Sequence, residues 1–288
     1  ADADWVVHIN VAQFAKTEIG KSIRAELGTL GVEEKLTGFS EIFGFHPLND
    51  LRNITLYGTG PDESRAVALA QGKFDAAKLV ALVSMNPMHE EFSHGDNTVH
   101  KWIDENNTDD KGAPKSMYGC VHGGKTVILG RGLDAVKKAV DVLDGSADNA
   151  ADSLDQPAIK ARGAFIQLIG SNIAKMAAEQ GQAAMLKQAK ALSLAVGEVE
   201  SKFYVAASLT ADTPEAAQAI QKMVDGIIAF MSLAQQERPQ LAQIANAVKL
   251  ACKDNHVSLR LEVESDKVVA FLKEQWQKEA EKKKALEQ

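Results

Sequence analysis

A strand, a two-glycine turn, a second strand and a helix can be read directly from Gly119 to Val140, GCVHGGKTVILGRGLDAVKKAV. Gly123 and Gly124 tolerate the positive φ that a tight hairpin turn needs. The same layout returns near the C-terminus. With Cys120 placed over Cys252, Leu129 falls on Leu261, Asp134 on Asp266 and Val136 on Val268 without a gap. Identities are few, but the pattern is stronger. Val257, Leu259 and Leu261 alternate with Ser258, Arg260 and Glu262, the period of a strand with one buried face. Asn255-His256 is expected to make the second turn, and Asp134 and Ser265-Asp266 suit helix starts. A chain that repeats a hairpin and helix in this way is expected to be duplicated.

The same stretch contains a literal phosphate-loop match, with Gly119, Gly124, Lys125 and Thr126 in the pattern G-x-x-x-x-G-K-[ST]. A working loop follows a buried strand and opens a helix, so that backbone N–H groups face the phosphates. Here Val127, Ile128 and Leu129 continue as a strand instead. The hairpin reading is preferred over nucleotide binding.

Working outward gives the rest. Trp5 to Val11 reads as a strand and Ala12 to Leu27 as a helix. Glu33 to Phe43 is a second helix, amphipathic through Leu36, Phe39, Ile42 and Phe43. Strands follow at Leu51–Gly58 and Ala66–Gln71, then a helix from Asp75 to Val83. Met85 to Ser116 looks polar and loop-rich, with one strand at Thr98–Ile103. Asp144 to Gly163 is acidic and reads as a linker. The second half opens with a strand at Ala164–Ile169 and a helix running to Ala189. Paired strands at Leu192–Val199 and Phe203–Leu209 follow. Thr213-Pro214-Glu215 starts a helix reaching Gln235. Gln240 to Ala247 is a short helix, and the last helix begins near Asp266 and buries Val269, Leu272 and Trp276.

The expected fold is therefore α+β, with two tandem pseudo-symmetric repeats at 1–143 and 164–288 joined by a linker at 144–163. Tight turns make the strands antiparallel, and the helices are expected to pack on one face of the sheets.

The 288 residues are enough for such a duplicated core. A net charge of −7, with no dense Lys/Arg cluster before the C-terminal tail, argues against nucleic acid. No apolar run approaches the roughly 20 residues of a membrane span. A start at Ala1-Asp2-Ala3-Asp4 suits a mature exported protein or a trimmed chain.

Two stretches add a resemblance. One is Gly44-Phe45-His46-Pro47-Leu48-Asn49-Asp50-Leu51-Arg52-Asn53-Ile54-Thr55-Leu56-Tyr57-Gly58. The other is Thr98-Val99-His100-Lys101-Trp102 with Met117-Tyr118-Gly119 and Val127 to Ala139. Together they resemble a group of uncharacterised, predicted exported bacterial proteins of the lipoprotein type. The resemblance implies export to the periplasm or cell surface, and implies no activity and no site residues.

For chemistry, His89, Glu90, Glu91, His94, Asp96 and His100 form the densest set of metal-ligand types. The spacing His89-Glu90-Glu91-Phe92-Ser93-His94 is one residue too long for the zincin pattern H-E-x-x-H. Gly95 and Asn97 also break a helix there, so a surface loop with solvated histidines is expected. Cys120 and His122 point the same way on a strand, which could pair a thiol with a base, but both Cys120 and Cys252 read as core-facing residues rather than a nucleophile or a disulfide. Asp62, Glu63 and the charges from Asp104 to Asp110 read as turn and loop charges, and the C-terminal helix with Trp276 as packing on its own sheet.

The sequence thus assigns no catalytic residue, no cofactor and no metal. The leading expectation is a non-catalytic exported binding or structural module for a protein or small-molecule ligand. The alternative is a metal-dependent hydrolase using the His89 to His100 loop.

Overall fold

The computed structural model describes residues 3–29, 31–108, 111–149, 161–174, 186–233 and 239–286. Its strands are β1 (Trp5–Asn10), β2 (Leu51–Gly58), β3 (Ala66–Gly72), β4 (Glu90–His94), β5 (Asn97–Thr108) and β6 (Pro114–His122), then β7 (Thr126–Gly130), β8 (Ala164–Ser171), β9 (Ala189–Val199), β10 (Lys202–Ala211), β11 (Val248–Lys253) and β12 (His256–Glu264). The helices are α1 (Val11–Phe14), α2 (Glu18–Thr29), α3 (Val32–Phe43) and α4 (Ala76–Ser84), then α5 (Leu133–Leu143), α6 (Pro214–Leu233), α7 (Pro239–Ala247) and α8 (Ser265–Leu286).

All twelve strands join one sheet, ordered β11-β12-β10-β9-β8-β1-β2-β3-β7-β6-β5-β4. Every pairing is antiparallel, as hairpin connections require. The β1–β8 pair, where Val7 lies opposite Leu168, joins strands β1–β7 to strands β8–β12. Asp4 ties this junction. Its carbonyl accepts from the Ser171 N–H at 2.7 Å, and its carboxylate accepts from the Gly60 N–H at 2.9 Å and from Asn172 Nδ2 at 2.7 Å.

Following the register across the sheet corrects one expectation. Val67 shares a row with Tyr57, Val6, Ile169, Ser193 and Ser208. Leu209 lies one row on, with Leu192, Gly170, Trp5 and Gly58. Successive residues of a strand face opposite sides, so these two rows face opposite ways. Val136, Ala139 and Val140 of α5 pack on Val67, Val99, Cys120 and Ile128. Ala216, Ala217 and Ile220 of α6 pack on Leu209 and Val257. Helices therefore cover both faces rather than one. The reason is visible in the strands. Ala66-Val67-Ala68-Leu69-Ala70 and Val127-Ile128-Leu129 are apolar on both sides, and each side has to be removed from water.

Two further boundaries differ from expectation. Ala12 to Leu27 is not one helix, because α1 ends at Phe14 and α2 starts at Glu18. Thr17 closes the break: its hydroxyl donates to the Phe14 carbonyl at 2.7 Å and accepts from the Gly20 N–H at 2.9 Å. The helix expected to reach Ala189 falls mostly on 175–185, outside the described residues, and Ala189 itself opens β9. Residues 150–160 of the expected linker, and the expected end of α6 near Gln235, also lie outside them. The caps at Asp75 and Thr213 are as expected: Asp75 accepts from the Lys78 N–H at 3.0 Å and Thr213 from the Ala216 N–H at 3.2 Å.

The polar stretch from Met85 to Ser116 contains β4 as well as the whole of β5, which runs beyond the expected Thr98–Ile103. Together with the start of β6 these make a three-stranded arm at one end of the sheet. Glu90-Glu91-Phe92-Ser93-His94 carries one apolar residue, so alternation was silent there. The signal was Gly95-Asp96, a two-residue turn with Gly95 at φ 56.

Candidate functional site

The phosphate-loop residues lie in the β6–β7 hairpin. Gly123 and Gly124 take φ of 56 and 65, and the Lys125 N–H donates back to the His122 carbonyl at 3.2 Å. Helix α5 begins only at Leu133, so no helix N-terminus faces Thr126. The second hairpin turns at Asp254-Asn255, one residue earlier than expected, since Lys253 pairs with His256 and Asp254 carries φ 53.

The cysteines are both free. They sit on β6 and β11, nine steps apart along the sheet, or roughly 40 Å at the usual strand spacing. Burial, with Asp144 nearby, pushes the Cys120 thiol pKa up, the wrong direction for a nucleophile. His122 is held by Asp144, with Nε2 2.7 Å from the carboxylate.

The histidines expected on a solvated loop are held on the β4–β5 hairpin. His100 is 7% exposed. Its cross-strand partner is Glu91, and Nδ1 lies 3.6 Å from the Glu91 carboxylate. His89 arrives from the turn after α4. Asn86 fixes that turn by donating from Nδ2 to the Ile103 carbonyl at 3.1 Å and accepting from the Met88 N–H at 3.0 Å. The His89 ring then stacks on His100 with Nε2 3.0 Å from Nδ1. Burial lowers the His100 pKa; the Glu91 charge opposes this and His89 adds to it. His94 does not join them. It lies on the row parity of Phe92, on the other face, and binds Asp141 of α5 at 2.7 Å.

A larger feature had no sequence signal of its own. On the face that carries α5, the helix stops short of β1 and β2. It leaves a cleft of about 660 Å³ against Val6, Thr55, Tyr57, Val67 and Leu69. Leu133, Ala135, Ala139, Val142 and Leu143 form the helix wall. Polar residues gather where β2 ends and β3 and α5 begin: Thr59, Ser64, Arg65 and Asp134. The volume falls in the range of small-molecule sites, which are mostly apolar with a few placed polar groups. Strand periodicity gives which residues share a face, but not how far a helix reaches across it.

One more apolar surface lies on α6, where Met223, Ile227, Phe230 and Leu233, all C-terminal to the buried Ile220, are exposed. No helix among the described residues is long and apolar enough to cross a membrane.

No family model matches the sequence, and no curated protein matches it. Among solved structures, it is similar to crystal form III of TP0453, with a TM-score of 0.48 and 6% identity over 93% of both chains. Crystal forms IV and I of TP0453 give TM-scores of 0.46 and 0.47, each at 8% identity over 94% of this chain and 92% of that one.

Proposed function

We propose that this protein is a non-catalytic, exported binding module made of two related halves, and that its ligand site is the cleft beside α5. The ligand is a small molecule with an apolar body and a polar or anionic end. The observation that carries this reading is the division of the cleft. Leu69, Val142 and Leu143 line one end, and Ser64 and Arg65 stand with the α5 N-terminus at the other. An apolar body removed from water contributes roughly 25 cal/mol per Å², while Arg65 and the positive end of α5 outweigh the one carboxylate there, Asp134, and favour a negative group.

The duplication is supported by the path of the chain. Outward from the β1–β8 pair, one side runs β1, β2, β3, β7, β6 and the other β8, β9, β10, β12, β11. A helix follows β3 and β10, and another follows β7 and β12. The halves differ in the β4–β5 arm and in turn length. Three residues separate His122 from Thr126, against two between Lys253 and His256, so a gapless match between the hairpins slips at the turn. Export is supported by the resemblance of the Gly44–Gly58 and Thr98–Trp102 stretches to exported proteins.

The test is titration with 8-anilinonaphthalene-1-sulfonate, a small apolar anion whose fluorescence rises out of water. One saturable site is expected. Ala135→Trp, placed on the helix wall, should weaken it at least tenfold with the circular dichroism spectrum unchanged. Equal binding by Ala135→Trp would refute the cleft. So would binding that is lost with Phe230→Ser instead, which would put the probe on α6.

A further inference from the structure

We propose that His89, Glu91 and His100 form a binding site for a late first-row divalent cation of the zinc class. The site is separate from the cleft and does not depend on it. His89 Nε2, His100 Nδ1 and a Glu91 carboxylate oxygen all lie within 4.8 Å of one another. Imidazole and carboxylate donors in this number suit zinc, nickel or copper, and leave a further coordination position for water or another ligand.

The geometry is nearly that of a bound ion. Two nitrogens, each about 2.0–2.1 Å from one tetrahedral zinc, stand roughly 3.3 Å apart. His89 Nε2 and His100 Nδ1 are 3.0 Å apart, so admitting the ion needs a shift of a few tenths of an ångström. At 3.0 Å the two rings can share one proton, but two imidazolium groups would repel. A cation replacing that proton faces both lone pairs and the Glu91 charge.

The donors are also held in place. Glu91 and His100 are opposite one another on paired strands, and the Asn86 contacts to Ile103 and Met88 fix the turn that carries His89. A site on strands keeps its donors closer to one arrangement than a site on a free loop. The neighbouring histidines are already engaged elsewhere: His94 with Asp141 and His122 with Asp144, both at 2.7 Å.

The experiment uses the full chain stripped with a chelator and titrated with Zn2+ alone by calorimetry. One equivalent is expected to bind. His89→Ala and Glu91→Gln should each weaken binding at least tenfold, while His94→Ala leaves it unchanged. His100 is buried and its removal could disturb the hairpin, so the partly exposed His89 is the deciding position. Absence of binding up to about 100 μM Zn2+ would overturn the proposal. Binding that survives His89→Ala and disappears with His94→Ala or His122→Ala would overturn it too, by moving the ion to the opposite face.

Discussion

Gly20→Ala separates two accounts of the N-terminal helices by the sign of its effect. In one continuous helix from Ala12 to Leu27, Gly20 would be an interior residue. Alanine there would stabilise the protein by up to about 1 kcal/mol. In the structure the chain breaks before Glu18 and Gly20 lies against the break. A Cβ at Gly20 would stand 2.0 Å from the Phe14 carbonyl oxygen. That is more than an ångström inside contact distance, and the obstacle is backbone. Relief requires moving α1 from α2. It stretches the Thr17 hydroxyl bond to Phe14 and the Gly20 N–H bond to Thr17. Each bond is worth about 0.5–1.5 kcal/mol net, and more where a buried group is left without a partner. Phe14 also packs edge-on to Phe165 of β8 at 5.1 Å, so the shift reaches the sheet. Subtracting the entropic gain of alanine over glycine, the expected net loss is about 2 kcal/mol. Urea unfolding followed by circular dichroism measures it. A Gly20→Ala protein as stable as the parent, or more stable, would refute the broken helix and the steric argument.

Two further outcomes follow from burial and charge. The exposed stripe of α6 predicts that Phe230→Ser, at a residue 75% exposed, changes stability by less than about 0.5 kcal/mol. Ile220→Ala, at 4% exposure in the buried N-terminal part of that helix, should cost about 2–5 kcal/mol; similar losses in a denaturant titration would mean the buried and exposed parts of the helix are misplaced. In metal-free buffer, the lowered pKa of His100 gives stability that is complete above its unfolded value near 6.5 and is lost as pH falls through the folded value, because the unfolded chain binds the proton more readily. Melting temperatures between pH 8 and 5 should therefore fall less steeply for His100→Asn than for the parent; parallel curves would contradict this.

What was legible in the sequence was whatever depends on local pattern. Gly123-Gly124 and the apolar alternation around them gave β6, β7 and α5. Asp75 and Thr213-Pro214 gave helix starts, and Leu51 to Gly58 gave β2 to the residue. Four things were not legible, each for a physical reason. The break at Thr17 depends on a side chain that competes for backbone groups, which a helical period does not register. Strand β4 has polar residues on both faces, so only its Gly95-Asp96 turn marked it. The site residues depend on register. Pairing Glu91 with His100 brings together residues nine apart in sequence, and the same register sends His94 to the other face. The cleft was the least legible, since it depends on how much of β1 and β2 α5 leaves uncovered.

The central claim is the cleft, and the most direct measurement is a nuclear magnetic resonance titration of isotope-labelled protein with a medium-chain fatty acid below its micelle concentration. The account predicts saturable methyl shifts confined to Val6, Val67, Leu69, Ala135 and Val142, which line the cleft. The methyls of Leu168 and Leu192, on the opposite face, should stay still. Shifts centred on Ile227 and Leu233, or the absence of any saturable shift, would contradict it.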